Sequence, residues 1–360
     1  MLRAGLIGLP STGKTSLFTL LSRRSSNNTS GRLGRAEANL GSAEVPDERL
    51  DRLTEMFEPE KRVAATVVFS DIVGTTGPQS LIDVAAYREA NALLHVVRAF
   101  NAEEVPHAAG NIDPIRDVRN MEDELILADL SVTERRLERL AHDMKKGTVK
   151  SAEHEARLLS ECREALENGT PIRSLQLEPE ANNLLRGFQF LSAKPLLLLI
   201  NLDEADIQKS NRAMELTKLT EILSHASITA VPVCAKIELE IAQLEAEDAQ
   251  VFLADLGLKE TGLTRVVRAA YELLGYISFF TVGKDECRAW SIPMGTIARD
   301  AAGEIHTDIQ HGFIRAEVVS YENLTARGSM NECRDHGEVR LEGKNYVVRD
   351  GDVINFRFAK

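Results

Sequence analysis

The sequence predicts an α/β fold: a parallel sheet with flanking helices, interrupted by a helical hairpin and followed by a small β-rich module. Three observations carry this reading. A short apolar run over residues 2–7 leads through Gly8-Leu9-Pro10-Ser11-Thr12-Gly13-Lys14-Thr15 into Ser16-Leu17-Phe18-Thr19-Leu20-Leu21, in the order strand, glycine-bounded loop, helix. Apolar, β-branched runs of strand length recur at residues 63–72, 92–100, 196–200 and 228–233. Beyond residue 275 the pattern changes to short runs at 278–282, 286–292, 313–320, 339–341, 345–348 and 353–358, punctuated by Gly295, Gly303, Gly343 and Asp350-Gly351-Asp352.

In its strand-to-helix context, G-x-x-x-x-G-K-[ST] is the pattern of a phosphate-binding loop. Gly8 and Gly13 permit backbone conformations and approaches that a Cβ would block. Pro10, Ser11, Thr12 and Ser16 complete the loop, and amides from Thr12 onward point at a phosphate, helped by the positive end of the following helix. Lys14 reaches the β- and γ-phosphates and is the candidate catalytic side chain, while the Thr15 hydroxyl joins a Mg²⁺ shell. The bland alternative is a strand-turn-helix corner with no ligand.

The run over residues 63–72 ends in Asp71-Ile72-Val73-Gly74. D-x-x-G at a strand end places the aspartate near Mg²⁺ and the glycine amide at the γ-phosphate. Between these motifs, residues 23–41 are polar and read as a long loop, and Val45-Pro46-Asp47-Glu48-Arg49-Leu50 starts a short helix through Leu53 and Met56. His95, inside the run over residues 92–100, reads as a satisfied core histidine.

From Met121 the period becomes helical. Ile126, Leu130, Thr133, Leu137, Leu140 and Met144 alternate spacings of four and three, the seam of a coiled coil. A second helix over residues 151–167 carries Ala152, Ala156, Leu159, Cys162 and Leu166 on one stripe, so the two form an antiparallel hairpin able to serve as an arm for a partner. The apolar run 196–200 then delivers Asn201-Leu202-Asp203-Glu204 to the carboxyl edge of the sheet, where open α/β folds bind ligands. The run 228–233 delivers Cys234-Ala235-Lys236 to the same edge. These two loops form the base pocket. GTPases use N-K-x-D there, and the aspartate accepts two hydrogen bonds from guanine. Leu202 in place of lysine and the longer Glu204 in place of aspartate disfavour guanine, so ATP is expected over GTP, with Asn201 and Glu204 shaping the pocket.

Composition narrows the setting. The 360-residue chain is long for one core. Its net charge of −12 argues against a bulk nucleic-acid binder, and sequence-specific DNA is not an expected partner. Cys162, Cys234, Cys287 and Cys333 are scattered, giving neither a zinc site nor a disulfide framework, and suggest reduced thiols in the cytoplasm. No apolar run has the length of a membrane span and no signal peptide is apparent, so no membrane partner is expected.

The order P-loop, D-x-x-G, helical hairpin, N-x-x-E and β module resembles the YchF/Obg-like ATPase family, nearly end to end. GLPSTGKTSLF, VPDERLDRL, the DIVG tetrapeptide, LLHVVRAF and DPIRDVRNMEDELILADL resemble that family. So do RAWSIPMGTIARDAAGEIHTDIQHGFIRAEVVSYENL and RLEGKNYVVRDGDVINFRF, which look like its TGS module. The resemblance implies a Ras-like P-loop domain over residues 1–121 and 191–276, a coiled-coil insertion over 122–190, and a ubiquitin-like β-grasp TGS domain over 277–360. It also implies ATP preference and association with the ribosome, with large-subunit contacts. The chain departs from the family at Ser11 and Thr12, where Asn and Val are usual. It departs again at Arg35-Ala36, where a switch threonine is usual, and at Thr75-Thr76-Gly77-Pro78 after the D-x-x-G. No glutamine follows Gly74, and Gln79 lies five residues on, so hydrolysis is expected to be slow. An ATPase ranks first, a nucleotide-dependent switch with little hydrolysis second, and a scaffold last.

Overall fold

In the computed structural model, residues 2–23, 38–72, 85–102, 104–145, 150–212, 217, 219–220 and 228–359 are described. The chain opens with β1 (Leu2–Ile7), α1 (Lys14–Arg23), β2 (Ala38–Glu44), α2 (Glu48–Phe57), β3 (Lys61–Val63) and β4 (Thr66–Ile72). Next come α3 (Ala85–Glu89), β5 (Ala92–Ala99), α4 (Pro114–Met144), α5 (Lys150–Glu167), α6 (Pro179–Leu185), β6 (Leu196–Leu202) and β7 (Ile228–Val233). After α7 (Ala235–Ile241), α8 (Ala246–Asp255) and α9 (Gly262–Leu273) follow β8 (Tyr276–Thr281), β9 (Glu286–Pro293), α10 (Ala298–Ile305) and α11 (Thr307–His311). The chain closes with β10 (Phe313–Ser320), α12 (Tyr321–Arg327), α13 (Met330–Asp335), β11 (Arg340–Glu342) and β12 (Asp352–Phe358). These elements form two compact units, Met1–Ala43 with Val68–Leu273 and Glu44–Val67 with Leu274–Lys360.

The first unit is built on a sheet of order β2-β4-β1-β5-β6-β7. Strands β1, β5, β6 and β7 are parallel, with Ile7 opposite His95, Arg98 opposite Asn201, and Asn201 opposite Val233. All seven residues of β6 (LLLLINL) are buried, the pattern of a parallel strand covered on both faces. Ile7, Leu93, Val97, Leu198 and Ile200 pack with Val118, Met121 and Leu125 of α4. This parallel order brings the carboxyl ends of β1, β5, β6 and β7 to one edge, which positions the site.

Helix α4 begins at Pro114, before the expected Met121, because Asp113 caps it by accepting from Arg116 N at 3.1 Å and proline suits the first turn. Along the seam, Ile126 and Leu140 are buried with Leu158, Leu159, Cys162 and Leu166 of the second helix. Arg136 bridges to Glu155 through two bonds of 2.6 and 2.8 Å. Met144, the last seam residue, is exposed. Among the described residues no helix is long and apolar enough to cross a membrane.

The second unit has the sheet order β11-β10-β12-β8-β9-β3. Phe279, Ile292, Ala316, Val318, Ile354 and Phe356 form its core with Ala298, Ala301 and Ala302 of α10. Several expectations need correction here. Residues 345–348 are not a strand, because Val347 makes a single bridge to Ile297 and the ladder goes no further. The module is less purely β than its sequence suggests. The alanines at helical spacing pack α10 on the sheet, and Ser320 and Ser329 cap α12 and α13 by accepting from Asn323 N and Glu332 N. Residues 38–41, expected in a loop, belong to β2. The single run 63–72 is divided at Ala64-Ala65, and β3 pairs in parallel with β9 through Lys61 and Glu286.

Candidate nucleotide-binding site

The loop between β1 and α1 needs both its glycines. Gly8 has φ 145° and Gly13 φ 95°, and a Cβ at either would lie 2.6 Å from Val96 O or 2.5 Å from Asn201 Nδ2, respectively. Ser11, without that freedom, is nonetheless left-handed at φ 61°. Pro10 and Ser11 are exposed, whereas Thr12 is buried and its hydroxyl donates to Leu9 O at 3.0 Å. The Lys14 ammonium folds back on the loop, donating to Gly8 O and Leu9 O at 2.7 Å each. Burial pulls its pKa below the ordinary lysine value, and the Asp71 carboxylate partly opposes that. Thr15 and Ser16 lie in the first turn of α1, where free amides attract an anion.

Asp71 is buried at the end of β4, and the Thr15 hydroxyl donates to its Oδ2 at 3.5 Å. A hydroxyl and a carboxylate converging beside a phosphate loop suit a hard, oxygen-seeking cation such as Mg²⁺. Among the described residues no group of three or more His, Cys, Asp or Glu side chains could hold a metal. Tyr87 is buried, and burial together with the Asp71 charge pushes its phenol pKa up. Burial and the charge of Lys14 push His95 down to about 3, so its ring is neutral. The expectation for His95 needs one correction: it is in the core, but its Nδ1 has no partner among the described residues.

At the other end of the site, Asn201 joins two loops. Its Nδ2 donates to Thr12 O at 3.0 Å, and its Oδ1 accepts from Ala235 N at 3.0 Å. The carboxamide is therefore a strut between the phosphate loop and the start of α7, a role the sequence did not disclose. Only the steric demand at Gly13 hints at it. Glu204 forms an ion pair with Lys236, linking the two expected base loops. This contact raises the Lys236 pKa, the hydrogen bond to Glu204 being its main cause. Cys234 and Ala235 are buried at the start of α7, and burial pushes the Cys234 thiol up. Leu202 was expected to line the base pocket. It lies instead in the core cluster with Ile7, Val97 and Met121, because inward positions of a fully buried strand demand apolar side chains. Gly74, Thr75-Thr76-Gly77-Pro78, Gln79 and Arg35-Ala36 lie outside the described residues.

A glycine-bounded loop at the carboxyl edge of a parallel sheet, with Lys14, Thr15 and Asp71 converging on it, is the arrangement of the P-loop nucleotide-binding proteins. Comparison with known proteins places the chain within that class. It is 40% identical to the ribosome-binding ATPase YchF of Bacillus subtilis (strain 168), over 99% of each chain. It is 39% identical to the ribosome-binding ATPase YchF of Haemophilus influenzae (strain ATCC 51907 / DSM 11121 / KW20 / Rd), again over 99% of each. Residues 276–359 match the family model YchF-GTPase_C, described as a protein of unknown function (DUF933). The solved structure of the Schizosaccharomyces pombe YchF GTPase matches with a TM-score of 0.86 at 29% identity, over 99% of this chain and 97% of that one. The chain belongs to the YchF family.

Proposed function

We propose that this chain is a ribosome-binding P-loop ATPase of the cytoplasm that prefers ATP to GTP and hydrolyses it slowly. The observation that carries the reading is the Lys14 ammonium held between two carbonyls of its own loop, beside Thr15 and Asp71. An arriving triphosphate offers Lys14 stronger, charge-assisted acceptors than Gly8 O and Leu9 O. Lys14 and the loop amides then orient the phosphates and balance charge as the γ-phosphoryl departs. Thr15 and Asp71 would hold Mg²⁺, which neutralises phosphate charge when bound. Asn201 keeps the loop in register with the pocket floor. The printed names of relatives as ribosome-binding ATPases support both the activity and the partner.

The finer domain reading has support as well. The order β9-β8-β12-β10-β11, with β8 and β12 parallel, fits a ubiquitin-like β-grasp of the TGS kind over residues 277–360. The packed α4 and α5 seam fits a coiled-coil hairpin inserted over residues 122–190 in a Ras-like domain spanning residues 1–121 and 191–276. On the ribosome, the large subunit is the proposed contact.

The test combines single-turnover hydrolysis with Mg²⁺ and either ATP or GTP, and sedimentation with purified ribosomal subunits. Lys14→Ala should lose one to two orders of magnitude in ATP affinity, through a charge-assisted contact of about 1.5–3 kcal/mol. Phosphate release no faster than that of the variant would leave a nucleotide-dependent binding switch as the function. That second reading is favoured by Lys14 being the one candidate catalytic side chain at the site among the described residues.

A further inference from the structure

The second unit carries a cavity of about 440 Å³, whose lining includes Trp290, Ile305, Ile309, Met330, Phe356 and Phe358. It opens where the sheet is incomplete. Strand β12 pairs with β10 along its length, from Asp352 opposite Ser320 to Phe358 opposite Phe313. With β8 it registers only at Val353 opposite Phe280, because β8 ends at Thr281.

The hydrogen bond at the far end of β12 shows which way its main chain turns. Ala359 N donates to Gly312 O at 2.9 Å, so the odd-numbered residues at that end address the β10 side. Gly351, ahead of the strand at φ 85°, instead splits its groups between Tyr321 N, which donates to its carbonyl, and Ser278 O of β8, which accepts from its N–H. Main-chain groups alternate along a strand, which turns the amides and carbonyls of Phe356 and Phe358 to the opposite edge. There β8 offers them no partner. An open edge of this kind is a template for another strand.

An apolar wall flanks the edge on one face of the sheet and a mixed one, Met330 with Arg334 and Asn355, on the other. Ile305 and Ile309 pack with its core face. Helix α13, which supplies Met330, lies over the other face, where its Arg334 reaches Glu317, itself held by Asn355 and Arg357. The Arg334 cation is thus already paired with a carboxylate, which favours a protein segment over an RNA phosphate chain.

We propose that the second unit captures an extended segment of a partner protein, added as a strand to the β12 edge beyond the end of β8. The overhang of residues 354–358 is about 17 Å long, so it takes about five residues of partner. The segment has apolar side chains for the Ile305 and Ile309 wall, small polar ones alternating towards the α13 side, and no proline where its N–H must face Phe356 or Phe358. The strand site stands on the edge geometry, while the partner, a ribosomal protein, rests on the proposed ribosome binding.

The experiment titrates the full-length protein with a capped five-residue peptide of alternating threonine and valine, and follows amide hydrogen exchange. Exchange at Phe356 and Phe358 should slow about tenfold at saturation. A peptide with a central proline should give no protection. Ile309→Trp, which fills the slot from one wall, and Phe358→Pro, which deletes one edge donor, should both abolish the effect. Absence of protection at millimolar peptide, or equal protection by the proline peptide, overturns the proposal. With purified ribosomes, a benzophenone amino acid in place of Met330 should crosslink to ribosomal protein, whereas adducts confined to RNA overturn it. Failure to sediment with ribosomes would sink the proposed ribosomal function, while the peptide titration would still decide the strand site.

Discussion

Arg49 and Asp350, 301 residues apart, are joined at two points: Nη1 to Oδ2 at 2.7 Å and Nη2 to Oδ1 at 3.2 Å. The same guanidinium holds Asp47 through Nε and Nη2 at 2.9 and 2.8 Å, and lies 5.2 Å from the centre of the Phe280 ring. Asp350 also accepts from Ser278 N at 2.9 Å. This side chain thus ties α2, from the first sixth of the chain, to residues of its last quarter within the second unit.

Arg49→Ala should therefore destabilise the second unit. Burial acts against the charge, but the Asp47 and Asp350 carboxylates outweigh it and hold the guanidinium protonated. The pair is partly open to solvent, so after discounting for screening the cost is about 1–3 kcal/mol. Trp290, the sole tryptophan, lies in this unit and reports on it by fluorescence in a urea titration. A midpoint equal to that of the parent would show that the clamp contributes no stability.

Ser11 makes an opposite kind of prediction. Its left-handed φ of 61° costs a serine about 1 kcal/mol, while asparagine tolerates that region better. Ser11→Asn should raise the unfolding temperature of the first unit, gaining about 0.5–1 kcal/mol measured by calorimetry. A lowered temperature would mean that the serine hydroxyl outweighs the backbone strain.

Lys194 should give stability a pH dependence. Its ammonium donates to Arg88 O at 2.8 Å and Ala90 O at 2.6 Å. Burial lowers its pKa to about 8 against the opposing charge of Asp129, with Arg88 lowering it further. Between about pH 8 and the ordinary lysine value of 10.5 the unfolded chain binds more protons than the folded one. Stability contributed by this group therefore rises with pH in that window, by at most about 1.4 kcal/mol per pH unit. Chemical denaturation of the parent and Lys194→Met across pH 7–10, read by the calorimetric signal of the first unit, should show the slope only in the parent. Parallel profiles would refute the assignment.

These sites divide by how their chemistry is written in the chain. The P-loop and the strand over residues 196–200 were legible because one rests on fixed local spacing and the other on an unbroken apolar run, although β6 runs on through Asn201 and Leu202, which were expected in the loop. Asn201 was expected to shape the base pocket, and its part as a strut was not legible, since its partners Thr12 and Ala235 are far from it in sequence. Leu202 misled because the N-x-x-E pattern invites comparison with a base-reading lysine, while the local cause is only the apolar demand of a buried strand. VPDERLDRL showed a capped helix, but its place in the second unit rests on distant contacts, Arg49 with Asp350 and β3 with β9, that no local period encodes.

The burial of Leu202 also changes how base preference should be tested. Leu202→Lys would bury an ammonium in an apolar cluster and report on folding rather than on specificity. The informative contact is the ion pair between Glu204 and Lys236. A guanine-reading carboxylate must accept from two ring donors, and one occupied by a lysine is a poor acceptor for both. In the parent, ATP should therefore outcompete GTP. Lys236→Ala releases the Glu204 carboxylate without touching the phosphate loop, and Glu204→Asp shortens its reach to that of a guanine reader. The double variant should move the ATP-to-GTP affinity ratio at least severalfold towards GTP, with ATP affinity itself falling less than in Lys14→Ala. Competition of labelled ATP with unlabelled GTP, in parent and variants, measures the ratio directly. An unchanged ratio would assign the Glu204–Lys236 pair to loop closure alone, and a parent that already favours GTP would remove the basis for the proposed ATP preference.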